Sequence, residues 1–256
     1  MLQLTIVMPC YNEGTRIYRN LIETMTQVER FCSSFRILVV NDGSTDETES
    51  EVKRAMSQDS RIGLITYSKN RGKGYAVRRG IKHAQSEYVA FLDSDLELPP
   101  YLLEHFIKRM VEGQEGIKKP VGIIIGSKMH KDSQVEYPPL RKIMSMGYYV
   151  FLKLLFGLKL KDTQTGIKMF KTDTAQTISK YSRSKGYSFD IEMLAIAEKI
   201  AKSGKYPAGD YEIEEMPVVV NFSRNKSDRS KIKISSILNM VRDSFRIKMY
   251  VSKLKV

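Results

Sequence analysis

The amino-acid sequence predicts an α/β fold built on a mainly parallel sheet with helices on both faces. Three observations lead there. Apolar runs that read as strands alternate with helical patterns. Those runs are apolar throughout, as strands buried on both faces must be. Polar loops rich in Asp, Asn and Glu follow them, at the carboxyl ends where such sheets bind ligands. The chain has 256 residues and 42% hydrophobic content, enough for one sizeable core.

The elements follow in order. Leu4 to Met8 is an apolar strand ending at Pro9, and a helical pattern runs from Thr15 to Phe31. Phe35 to Val40 is a second buried strand. Ser44 and Glu47 have capping-box spacing, with Ser44 as N-cap of a helix reaching Met56. Ile62 to Tyr67 is a third strand. Asn70 to Gly74 is a glycine-rich entrance to a helix ending near His83, and Tyr88 to Leu92 is a fourth strand that stops at Asp93. Pro99 and Pro100 open the next helix, a place that tolerates proline. Val121 to Ile125 and Ile167 to Phe170 are further strands, and a helix runs from the Phe189–Glu192 region to Ala201. Arg141 to Leu160 is very apolar with lysines at its edges, fitting an interfacial helix or helical hairpin. A C-terminal helical stripe runs through Ile234, Ile237, Leu238, Val241, Phe245 and Met249.

Composition narrows the function classes. Charged residues at 28% and the absence of low-complexity runs exclude a disordered chain. The opening MLQLTIVMP lacks the basic n-region and long apolar core of a signal peptide. The longest uninterrupted apolar stretch, about ten residues from Ile143, falls short of the ~20 a spanning helix needs. Cys10 and Cys32 have neither zinc-site spacing nor the density of a disulfide framework. The formal charge is +13, and residues 222–256 hold ten Lys and Arg against Asp228 and Asp243. A basic surface so localised calls for an anionic partner: phospholipid, nucleic acid or a phosphate substrate. No nucleic-acid-binding motif or aromatic stacking pattern accompanies the charge.

The chemistry centres on Asp93-Ser94-Asp95 directly after the fourth strand. Two carboxylates one residue apart can meet one Mg²⁺ or Mn²⁺ ion that keeps positions open for diphosphate oxygens. Asp42, after the second strand, can accept hydrogen bonds from a base or ribose. Pro9, Tyr11 and Glu13 end the first strand beside the same cleft. Asn70-Arg71-Gly72-Lys73-Gly74 fits neither the dinucleotide fingerprint nor the P-loop pattern, which leaves a helix N-terminus with a nearby cation. Asp190 and Glu192 stand at a helix start, where acids favour the helix dipole.

The segments IVMPCYNEG, VVNDGSTDET, NRGKGYAVRRG and FLDSDLELPP, in that order, resemble the family 2 glycosyltransferases. The likeness continues through GSKMHKD, DTQTGIKMFK, YSFDIEMLAIAEK and SDRSKIK, nearly the whole chain, and there it is similar to the polyprenyl-phosphate sugar synthases of glucose and mannose. The resemblance implies the GT-A fold, a mainly parallel Rossmann-like sheet with added interfacial amphipathic helices. It implies a catalytic domain over residues 1–221, with an interfacial segment at 140–160, and a basic amphipathic segment over 222–256.

By the same resemblance the enzyme inverts at C1 and moves a hexose from a nucleotide diphosphate sugar, UDP-glucose first and GDP-mannose second, to dolichyl or polyprenyl phosphate. Pro9, Tyr11, Glu13, Asp42, Lys73, Asp93, Ser94 and Asp95 would hold the nucleotide sugar, and Asp93, Asp95 and Glu97 the metal. Asp95, Gln164, Arg229 and Lys231 would be catalytic, with Lys128, Arg141, Arg229 and Lys231 on the acceptor phosphate. Relatives read aspartate where this chain has Asn41, and glycine where it has Arg229.

A phosphate monoester, with a second pKa of about 6, is largely dianionic at neutral pH and attacks without surrendering a proton. A sugar hydroxyl would need a base, for which Asp190 is the candidate. The basic tail and apolar segments imply a peripheral protein on the cytoplasmic, anionic face of a membrane.

Overall fold

The structure, a computed structural model, describes residues 3–112, 120–135, 139–186, 188–203, 211–221 and 234–255, the side chains of 112, 139–143 and 234–238 excepted. Seven strands form one sheet: β1 (Leu4–Cys10), β2 (Phe35–Asn41), β3 (Ile62–Thr66), β4 (Tyr88–Leu92), β5 (Val121–Ser127), β6 (Ile167–Lys171) and β7 (Glu212–Pro217). Their order is β3-β2-β1-β4-β6-β5-β7. All pairings are parallel except those of β6, which is antiparallel to β4 and β5. The described helices are α1 (Ile17–Val28), α2 (Thr48–Gln58), α3 (Lys73–His83), α4 (Leu102–Glu112), α5 (Pro139–Phe156), α6 (Thr172–Tyr181), α7 (Phe189–Ser203) and α8 (Ile234–Lys253).

The sheet separates two apolar layers. Successive side chains of a strand point to opposite faces, so Leu4, Ile6 and Met8 of β1 meet Ile17, Leu21, Val52 and Phe106 of α1, α2 and α4. Val7 faces the other way, toward Ala76, Val77, Ile178 and Ile196 of α3, α6 and α7. Each such burial stabilises by roughly 1.5–3 kcal/mol. Ile247 and Val251 seat α8 in the second layer.

Strand order reverses between β1 and β4, so the loops leaving these two strands splay apart and open a crevice. β1 runs two residues beyond the expected Met8. Its Pro9 falls past the end of the β4 ladder, which stops at Val7↔Phe91, so the missing N–H breaks no sheet bond.

Several expectations are corrected. Ser44 is not an N-cap: α2 starts at Thr48, and Asp46 Oδ1 receives the Thr48 amide at 3.0 Å. Ser44 Oγ instead accepts the Asn12 amide at 2.9 Å, tying the β1 exit to the β2 exit. The first helix begins at Ile17 rather than Thr15. The apolar 141–160 segment is a single helix to Phe156, followed by Gly157 at φ 71°. On α8 the core takes Ser244, Ile247 and Val251, while Phe245 and Met249 of the expected stripe are 50% and 60% exposed. β7 and α6 were not anticipated. β7 is a half-exposed, acid-rich edge strand without an apolar run, and α6 follows β6 with no break between them.

Candidate active site

The β4 exit carries the central carboxylates. Asp93 donates its amide to the Gly166 carbonyl at 3.1 Å, and its Oδ1 lies 2.6 Å from Lys73 Nζ. A Cβ at position 166 would run into the Asp93 carboxylate, so glycine lets the β6 entrance lie against it. Leu96 has φ 52°, a left-handed conformation rare for leucine, and its side chain is buried. Such backbone costs of order 1–3 kcal/mol and gathers at functional sites. The bend turns the chain so that Asp95 Oδ1 accepts the Glu97 amide at 3.0 Å. From α1, buried Asn20 donates to the Ser94 carbonyl at 2.7 Å and fixes the loop from below.

Burial, and after it the Asp93 charge, pushes the Asp95 carboxyl above its ordinary range, and the Glu97 amide and Lys73 offset this only in part. Burial opposes the charge on Lys73, but Asp93 and Asp190 outweigh it and hold the lysine protonated. Lys128, following β5, reaches Glu97 with Nζ–Oε1 at 2.5 Å.

The donor set is thus hard carboxylate oxygen, around a polar cavity of about 220 Å³ that includes Asp93, Asp95, Glu97, Lys128 and Gln164. Among the described residues no three acidic, His or Cys side chains already converge as a cage. The two lysines hold Asp93 and Glu97. Mg²⁺ and Mn²⁺ sites on nucleotides commonly use one or two carboxylates with phosphate oxygens completing the shell. Crowded negative charge at Asp95 fits such an ion.

The β1 and β2 exits form the opposite wall. Tyr11 is 48% exposed at the rim. Glu13 pairs with Arg16 at 2.6 Å, and burial raises its carboxyl despite that partner. Asp42 is buried, and its oxygens receive Tyr67 Oη at 2.7 Å and the amides of Arg71 and Gly72 at 2.8 Å each. In this arrangement Asp42 organises the α3 entrance that presents Lys73, a role its position after β2 does not announce. Asn41 braces the same turn, accepting the Ser44 amide and donating to Thr66.

Three cavities meet at Gln164. Besides the polar one, an apolar cavity of about 610 Å³ lies between α5 and α8, with Lys128, Tyr148, Phe151, Leu152 and Met240 in its wall. A third, about 700 Å³, is bounded by Lys73, Lys185, Asp190 and Arg246. Asp190 is buried and paired with Lys168 at 2.6 Å. Glu192 accepts Ser182 Oγ and the amides of Arg183 and Ser184 at 2.5–2.8 Å, so it shapes the α6–α7 loop.

Of the residues read from the sequence, Pro9 at the end of β1, Lys73 at the start of α3, and Tyr11, Glu13, Asp42, Asp93, Ser94, Asp95, Glu97, Lys128 and Gln164 on the adjoining loops lie around this crevice. Arg229, Lys231 and the side chain of Arg141 fall outside the described residues. Asn20, Tyr67 and Lys168 were missed. The one available signal was a polar side chain among apolar core neighbours, as with Asn20 beside Ile17, Leu21 and Met25.

Comparison with known proteins agrees with this architecture. Residues 5–179 match the family model described as Glycosyl transferase family 2. A dolichyl-phosphate beta-glucosyltransferase of Trichomonas vaginalis is 31% identical over 96% of this chain and 71% of its own length. One from Saccharomyces cerevisiae is 28% identical over 94% of this chain and 77% of its own length. Glucosyl-3-phosphoglycerate synthase from Mycobacterium tuberculosis, solved with Mn²⁺, uridine diphosphate and glucosyl-3-phosphoglycerate, superposes with a TM-score of 0.65. It is 16% identical, over 99% of this chain and 81% of its own, which establishes a shared fold.

Proposed function

The chain belongs to glycosyl transferase family 2, and from that premise we propose that it transfers glucose from UDP-glucose to dolichyl or another polyprenyl phosphate, inverting at C1. The observation that carries this reading is the apolar cavity between α5 and α8, which opens onto Lys128 and Gln164 beside the β4 carboxylates. A soluble sugar acceptor has no use for an apolar channel. A prenyl chain does, and its phosphate would then lie at the mouth with Lys128. Arg141, Arg229 and Lys231 are further acceptor-phosphate cations in this proposal. The dolichyl-phosphate beta-glucosyltransferase names of the relatives support glucose as the sugar and a dolichyl-phosphate acceptor.

In the proposed reaction Pro9, Tyr11, Glu13, Asp42 and Ser94 border the nucleoside end, and Lys73 faces the diphosphate. Asp93, Asp95 and Glu97 would hold Mg²⁺ or Mn²⁺, an ion that when bound neutralises charge on the departing diphosphate. The fold neighbour solved with Mn²⁺ and uridine diphosphate supports a divalent ion beside the diphosphate. An acceptor phosphate oxygen bonds to C1 from the face opposite the diphosphate, the C1–O bond breaks, and UDP leaves with the electron pair. The attacking oxygen carries no proton at neutral pH, so the chain supplies orientation and cations rather than a base.

A membrane surface completes the proposal. Met146, Val150 and Leu154 form an exposed track along α5, 45–81% exposed. Phe151 and Phe245 rings meet edge-on at 5.7 Å and join it to Phe245 and Met249 of α8. Lys153, Arg242, Arg246, Lys248 and Lys253 lie on these two helices. Among the described residues no helix is long and apolar enough to cross a membrane. Peripheral docking on an anionic cytoplasmic leaflet fits an apolar track with basic neighbours.

The test incubates the protein with dolichyl phosphate, Mn²⁺ or Mg²⁺, and labelled UDP-glucose or GDP-mannose. Label should enter the organic phase from UDP-glucose, and Asp95→Ala should reduce it to background while the variant keeps its circular dichroism. Label from GDP-mannose alone would reassign the donor, and full turnover by Asp95→Ala would refute the metal site.

A further inference from the structure

We propose that buried Lys168 and Asp190 are a positioning pair that clamps the loop at residues 162–166 against the β4 carboxylates, and that Asp190 is not a proton acceptor. The reaction it serves rests on the glycosyl-transfer reading above; the clamp itself rests on geometry.

Lys168 lies in β6 and is 2% exposed. A lysine is almost never this buried without partners. Its Nζ donates at 2.6 Å to Asp190 Oδ1 and at 2.6 Å to the Thr165 carbonyl. Thr165 sits between Gln164, where the three cavities meet, and Gly166, whose carbonyl receives the Asp93 amide. One ammonium therefore fixes the carbonyl at the centre of the stretch that lines the site.

The pair also reaches the other side of the crevice. Asp190 acts on Lys73, and Lys73 holds Asp93 at 2.6 Å. Lys168, Asp190, Lys73 and Asp93 thus alternate in charge from beneath β6 to the β4 exit. Removing an inner member leaves a buried neighbour uncompensated, which moves side chains rather than merely deleting a contact.

Asp190 stands at the start of α7 and borders the third cavity, where an acid in this fold might be taken for a base. A base must meet a proton on the acceptor that it can take up. Asp190 is 4% exposed and ion-paired with Lys168 through Oδ1, and a phosphate acceptor brings no proton to remove.

The experiment compares wild type with Asp190→Asn, Lys168→Met and the double variant, all full length. Amide hydrogen exchange over residues 162–166 is read by mass spectrometry, and transfer is read against pH. Asp190→Asn should speed exchange in this loop and cut kcat/KM by about 10–100-fold, the usual cost of losing an outer-shell partner. Its pH profile should keep the wild-type shape. The double variant should lose no more than the worse single one, as residues acting together do. Unchanged exchange in Asp190→Asn overturns the proposal, as does loss of a titrating limb from its pH profile. Lys168→Met risks misfolding, but the near-isosteric Asp190→Asn decides the matter alone. Should wild type transfer no sugar, the glycosyl-transfer reading fails, while exchange still decides the clamp.

Discussion

Crowded charge at Asp95, a candidate metal ligand, works against the fold that holds it. Its folded-state pKa is raised by burial and by Asp93. A carboxyl raised in this way contributes stability below its unfolded pKa, and that contribution is lost as pH rises through the folded value. At neutral pH the charged group therefore works against folding. In EDTA at pH 7, Asp95→Asn should melt above wild type by scanning calorimetry, and the gap should close as pH falls below the ordinary Asp value of about 3.9. Mn²⁺ with UDP should raise the melting temperature of wild type far more than that of the variant. Asp93, Asp95 and Asp42 were legible because strand exits are local patterns. Lys168 was not, because in Ile167–Lys171 it reads as one polar residue in a short strand. Its ion-pair partner Asp190, 22 residues on, is brought to it only when α7 packs against the sheet.

At the scale of elements, closeness between helix and strand is set by what is left out. Gly80 lies mid-helix in α3, where glycine costs about 1 kcal/mol relative to alanine. A Cβ there would overlap the Val7 side chain of β1. Gly80→Ala should therefore destabilise despite its better helix propensity, by about 1–3 kcal/mol in urea unfolding, the usual cost of overpacking. A gain in stability would show that α3 can move off the sheet. The strands of the first half were readable because parallel strands buried on both faces are apolar runs. The direction of β6 was not, since an apolar pentapeptide carries no sign of its orientation. β7 escaped notice because Glu212, Glu214 and Glu215 spend their charges at a sheet edge, Glu214 on Arg109 and Glu215 on the Lys161 and Asp162 amides. Charge on an edge strand also discourages pairing with another sheet.

The whole molecule presents an exposed apolar track on α5 and α8, the two helices that also wall the apolar cavity. Charge and hydrophobicity in the sequence located this region, but of the stripe expected on α8 the described Phe245 and Met249 face outward, because Ile247 and Val251, outside that stripe, take the inward positions. Deleting α8 would therefore strip the core, and surface substitution is the cleaner probe. Leu154→Ser, Phe245→Ser and Met249→Ser together should leave the melting temperature within a few degrees and lower co-sedimentation with vesicles containing anionic lipid. Equal co-sedimentation would remove the track from the docking surface. Raising salt should weaken binding further through the basic residues nearby.

The reversed β6 has a consequence for how such a molecule can change over generations. The chain leaves the sheet at Ser127 and re-enters at Ile167 on the same rim, so everything between is an excursion that starts and finishes beside the carboxylates. Such an excursion can lengthen, shorten or swap an oily helix for a polar one without altering a rung of the remaining ladder. If the α5–α8 cavity takes the acceptor as proposed, the donor-side loops after β1, β2 and β4 and the acceptor-side helix α5 lie on separate stretches of chain, so one can vary while the other is kept.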